Sequence, residues 1–74
     1  MAPYTLPLRI TASGESVQVL DARGRIVTYL YFEDDQLRRD MMKRWTKAEA
    51  IEIARRIARA LTEASDARDD SAGL

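Results

Sequence analysis

The chain contains no cysteine and no histidine. Without cysteine it has neither a disulfide framework nor a thiolate metal site. Without histidine it lacks the commonest general base and the commonest zinc ligand. Aromatic residues are few: one tryptophan, one phenylalanine and three tyrosines. Charge of neither sign is in excess, with 12 basic residues against 12 acidic ones. A dedicated nucleic-acid binder usually carries a basic excess, so the balance argues against one, although it leaves room for a local basic patch. No run approaches the roughly 18 apolar residues of a spanning helix, and the first ten residues lack the basic region and long apolar stretch of a signal peptide. Small secreted domains are usually stapled by disulfides. The unstapled chain therefore reads as cytoplasmic, with no membrane association.

What is present is organised around residues 46–63, TKAEAIEIARRIARALTE. Thr46 and Glu49 have the spacing of a capping box, each side chain placed to bond the other's backbone amide. At about 100° per residue, Ala50, Ile51, Ile53, Ala54, Ile57, Ala58, Ala60, Leu61 and Ala64 share one half of the helix. Ile53, Ile57 and Leu61 read as its central ridge, and the alanines beside them allow close approach. Two uses of this wide arc stay open: all of it is core, or the flank of Ile51, Ala54 and Ala58 meets a second copy of the chain.

Ahead of the helix the period changes to two. Leu6, Leu8 and Ile10 alternate, then Val17 and Val19, then the β-branched and aromatic run RIVTYLYF. Pro7 places the first strand at a sheet edge or delays its start. Asp21-Ala22-Arg23-Gly24 predicts a type I turn with Gly24 left-handed, the three-residue hairpin with a G1 bulge. That register would set Val19 opposite Val27 and Val17 opposite Tyr29. The face holding Val17, Val19, Val27, Tyr29 and Tyr31 would then meet the helix, while Leu20, Ile26, Leu30 and Phe32 line the other. The sheet reads as apolar on both sides. Leu37, Met41 and Trp45 recur at i, i+4 and i+8 in a short segment that Asp34 or Asp35 would cap.

The predicted architecture is a single α+β domain over residues 1–64: an antiparallel β-meander of two to three strands (about 6–12, 16–21 and 25–32) packed on one long helix (about 46–63), with a short helix at about 35–44. Residues 1–5 are expected to fray. Residues 65–74, small and charged without periodicity, are expected to form a disordered tail.

From Val19 the chain reads V-L-D-A-R-G-R-I-V-T-Y-L-Y-F-E-D-D, and after a gap T-K-A-E-A-I-E-I-A-R-R-I-A. This order resembles a family of small uncharacterised bacterial proteins. They share a D-A-x-G-[RQ] hairpin, a Y-x-Y-F-E-[DE] strand end and a T-x-x-E-A-x-x-I-A-x-x-I-A helix. The resemblance spans roughly Val19 to Leu61 and departs from the family pattern at Trp45 and at Ile51-Glu52. It implies a small meander-plus-helix domain and brings no activity, cofactor or site residue with it.

Three groupings are candidates for chemistry. Glu33-Asp34-Asp35 supplies oxygen ligands of the kind hard cations take, but neighbouring residues on a strand point apart and no second acidic cluster completes a shell. The bland reading, a charged strand end and helix cap, is preferred, and no metal or cofactor is expected. Asp21, Glu33 and Tyr31, with Arg25 as an anion partner, are the acid–base candidates. Asp21 is already explained as a turn residue, and no catalytic residues are assigned. Arg38, Arg39, Lys43, Arg44 and Lys47 form a local basic cluster that Arg55, Arg56 and Arg59 continue along the helix. With Tyr29, Tyr31 or Trp45 to stack on bases, these would serve nucleic-acid binding.

The expected function is a protein-interaction or structural module, not an enzyme. It is expected to form a homodimer through surplus apolar surface, with Ile26, Leu30, Phe32, Ile51, Ala54 and Ala58 as the candidate self-interface. Another protein partner is the next expectation, and a nucleic-acid-binding module the alternative.

Overall fold

A computed structural model describes the backbone of residues 2–72 and the side chains of residues 2–65. Three antiparallel strands form one open sheet in the order β1-β2-β3: β1 is Arg9–Ser13, β2 is Ser16–Leu20 and β3 is Ile26–Tyr31. A short helix, α1 (Gln36–Met42), and a long one, α2 (Lys47–Ala72), follow. The architecture is the α+β meander packed on a helix that the hydrophobic periods predict. β1 begins two residues after Pro7 and lies at a sheet edge, as a residue without an amide donor requires.

Both hairpin turns follow their local chemistry. Gly14 and Gly24 adopt φ of 57° and 84°. The Asp21 amide donates to the Arg25 carbonyl at 2.9 Å, and the Gly24 amide to the Asp21 carbonyl at 3.0 Å. This is the expected three-residue turn. One step further on, the expected register fails. Leu20 pairs with Ile26, but Val19 pairs with Thr28 and Val17 with Leu30, so Val27 is an extra residue in β3. This bulge exchanges the faces of the remainder of the strand. Val27, Leu30 and Phe32 pack against the core, whereas Tyr29 and Tyr31 stand on the outer face, about half exposed. The exchange keeps two phenol hydroxyls in water and buries hydrocarbon instead.

The helix corrects a second expectation. Its fully buried residues are Ala50 and Ala54, which close on Val17 and Val19 of β2; Ile51 and Ala58 pack around them. Ile53 and Ile57, the expected ridge, lie outside this cluster and are only partly buried. Alanine brings the helix backbone close to the sheet, and the two valines fill the space. Full burial contributes about 1.5–3 kcal/mol per valine.

The capping box forms as predicted: the Thr46 amide donates to Glu49 Oε1 at 3.0 Å, and the Glu49 amide to Thr46 Oγ1 at 3.1 Å. These Thr46 bonds hold the Glu49 carboxyl below its ordinary pKa. α2 runs on through most of the segment expected to be a tail. Nothing between Ala64 and Ala72 breaks a helix. The amino-terminal arm is also held rather than frayed from Tyr4 onward. The Tyr4 hydroxyl donates to the Leu61 carbonyl at 2.6 Å, and the Ala22 amide to the Thr5 carbonyl at 2.8 Å.

Candidate interaction surface

Asp21 is the most heavily bonded side chain of the sheet and only 1% exposed. Its Oδ1 accepts from the amides of Arg23 and Arg25, and its Oδ2 from the Thr5 amide and from Arg25 Nε and a terminal nitrogen of its guanidinium, all between 2.9 and 3.1 Å. Burial alone would raise its pKa, but these donors outweigh it and hold the carboxyl at about 2. Five donors saturate the lone pairs of a carboxylate, so no site remains from which it could take a substrate's proton. A shallow groove of about 290 Å³ opens beside it, lined by Pro3, Tyr4, Arg25, Ile26 and Val27.

The acidic trio is spent on backbone. Asp35 caps α1 by accepting from the Arg38 amide at 3.0 Å, Asp34 accepts from the Lys47 amide at 3.0 Å, and Glu33 accepts from the Asp35 amide at 3.2 Å. Among the described residues no cluster of three metal-ligating side chains is gathered.

The basic cluster is divided, with Arg39 and Arg44 half-buried and the rest exposed. Arg39 donates to the carbonyls of Glu33 and Asp34, both at 3.2 Å. Arg44 pairs with Glu15 at 3.1 Å and lies over the Tyr31 ring, 5.1 Å from its centroid. Lys47 Nζ sits 5.8 Å from the centre of the Phe32 ring. Arg38 reaches Glu33 only at 4.0 Å, and Lys43, Arg55 and Arg59 are exposed. Tyr29 and Tyr31 stack on each other at 6.2 Å with an 11° interplanar angle. Tyr31 thus has both Arg44 and Tyr29 against its ring while remaining 53% exposed.

The candidate self-interface is divided by the fold. Ala54 is buried in the core, and Leu30, Phe32, Ile51 and Ala58 pack against it. Ile26, half exposed on the outer sheet face beside the tyrosines, is the member that faces solvent.

The largest apolar exposure lies elsewhere. Leu37 is 72% and Met41 77% exposed, with Met42 and Trp45 each near half. α1 buries none of its residues and, among the described residues, packs on neither the sheet nor α2. Besides the Arg39 bonds to the Glu33 and Asp34 carbonyls, it is anchored at its ends. Asp35 caps the start; at the finish Lys43 turns left-handed at φ 56° and the Arg44 amide donates to the Arg39 carbonyl at 3.1 Å. The chain then returns to the sheet, where Trp45 bridges Phe32 and the Glu33 amide donates to the Trp45 carbonyl at 2.8 Å. Beside Trp45 a groove of about 320 Å³ runs along the first turns of α2, lined by Glu49, Glu52, Ile53 and Arg56. No protein family, curated protein or solved structure matches this chain.

Sequence reasoning placed Leu37, Met41 and Trp45 on one face but did not number them among the interface residues. The usable signal was length. A segment of two helical turns cannot stabilise itself, so an apolar pair at i and i+4 within it needs something to pack on.

Proposed function

We propose that this chain is a small protein-interaction module that works as a homodimer in the cytoplasm. One observation carries the reading: a two-turn helix leaves Leu37 72% and Met41 77% exposed and, among the described residues, packs on neither the sheet nor α2. Isolated helices of that length are marginal in water. Burying this apolar face against a partner would supply the missing stabilisation. The surface fits that purpose better than it fits chemistry, because the buried carboxylate is saturated by donors and the acidic trio is committed to backbone.

Light scattering across a concentration series tests the reading directly. A dimer that persists in high salt is expected, since apolar burial is not screened. A clean monomer at several hundred micromolar overturns self-association.

A nucleic-acid-binding module is the second reading. It draws on Arg55 and Arg59, exposed on α2, and on Lys43, exposed at the end of α1. It draws less on Arg39, Arg44 and Lys47, which are engaged within the chain. Absence of retention on single-stranded or duplex nucleic acid at low salt ends it.

A further inference from the structure

We infer that the self-interface is reciprocal: α1 of each protomer docks in the Trp45–Ile53 groove of the other. This rests on the homodimer reading above and names the surfaces it uses. Three features of the fold converge on it.

The first is shape. Leu37 and Met41 form a narrow apolar ridge standing clear of the body, and the groove beside Trp45 is a concave apolar slot on the same chain. Where a two-fold axis brings both into contact at once, a ridge and a slot on one molecule form a closed pair, each contact occurring twice. The second is charge. On the ridge segment Arg38, Arg39 and Lys43 outnumber Asp40, and along the slot Glu49 and Glu52 outnumber Arg56, which pairs with Glu52 at 3.0 Å. Basic rim against acidic rim favours this pairing over ridge on ridge or slot on slot. The third is area. The exposed parts of Leu37, Met41, Met42 and Trp45 present on the order of 400–500 Å² per protomer, more than half of the ~800 Å² that each partner buries in a stable interface. Ile53 and the charged rim supply the remainder. A second copy carries both surfaces on one chain.

The experiment combines light scattering with fluorescence of Trp45, the single tryptophan of the chain. In the wild type, raising the concentration is expected to produce a dimer and to shift Trp45 emission to shorter wavelength over the same range. Met41→Asp is expected to weaken dimerisation by roughly 30-fold or more, as loss of a central apolar anchor does. Its far-UV circular dichroism should match the wild type, because Met41 supports nothing within the protomer. Glu52→Arg and Arg38→Glu are each expected to weaken the dimer roughly tenfold, the rim effect being counted twice by symmetry. The double variant Arg38→Glu/Glu52→Arg should return close to wild-type affinity.

A wild-type monomer overturns this inference together with the homodimer reading. A wild-type dimer that Met41→Asp leaves intact overturns the inference alone and returns the search to the Ile26, Tyr29 and Tyr31 face. A double variant no tighter than either single one overturns the α1-to-groove pairing.

Discussion

Ala54 and Ile53 are neighbours in the sequence with opposite surroundings, and exchanging their sizes is the most direct test of the packing. Ala54 is fully buried where α2 comes closest to Val17 and Val19. Ala54→Leu forces three extra carbons into that contact. Overpacking of this kind costs about 1–3 kcal/mol. Set against a total stability of roughly 4–11 kcal/mol for a chain this small, that is a large fraction. It corresponds to a fall in Tm of roughly 5–20 °C. Ile53→Ala removes hydrocarbon from a partly exposed position, and alanine recovers a few tenths of a kcal/mol in helix propensity. Its net cost should stay below about 1 kcal/mol. Thermal unfolding followed by circular dichroism, at low micromolar protein so that association contributes little, gives both numbers. If Ile53→Ala proves the more damaging of the two, the isoleucine ridge faces the sheet and the packing described here is wrong.

Other outcomes follow from individual contacts. Asp21 is held at about 2, below its ordinary value of 3.8, so its contribution is intact above pH 4 and is lost as pH falls toward 2. Acid unfolding of Asp21→Asn should therefore show a shallower pH dependence across that window than the wild type; identical slopes would contradict the assignment. Thr46→Ala removes half of the capping box and should cost about 1 kcal/mol in chemical denaturation, with Glu49→Gln costing less. Lys43→Gly relieves a left-handed non-glycine residue and should stabilise α1 by about 1 kcal/mol, read as roughly fivefold slower amide exchange over residues 39–44.

Much of this fold is legible in the sequence where the chemistry is local. The Asp21–Gly24 turn, the Thr46–Glu49 box and the Asp35 cap each depend on residues no more than four apart, and each forms as read. What the sequence conceals depends on comparison between distant segments. Val27 is inserted as a bulge because the chain gains by burying Leu30 and Phe32 rather than two tyrosines, a balance between faces that no window of six residues contains. The orientation of α2 is a similar case. Its apolar arc is wide enough that isoleucines or alanines could meet the sheet, and the choice falls to how closely β2 lets the helix approach. The segment after Ala64 misleads in the opposite way: lack of periodicity is a poor guide to where a helix stops when no residue obliges it to. The α1 surface was half visible, its spacing readable but its isolation from the body not.

The bulge at Val27 has a consequence for how copies of this chain meet in a crowded solution. β3 is an edge strand rich in β-branched and aromatic residues, the composition that templates cross-β stacking. The extra residue kinks its amino-terminal half, and the Trp45 bridge occupies its far end. Between these two interruptions only residues 28–31 remain as regular edge on this side of the sheet. The irregularity that decides which side chains enter the core thereby also guards the rim of the sheet, and removing Val27 would expose both at once.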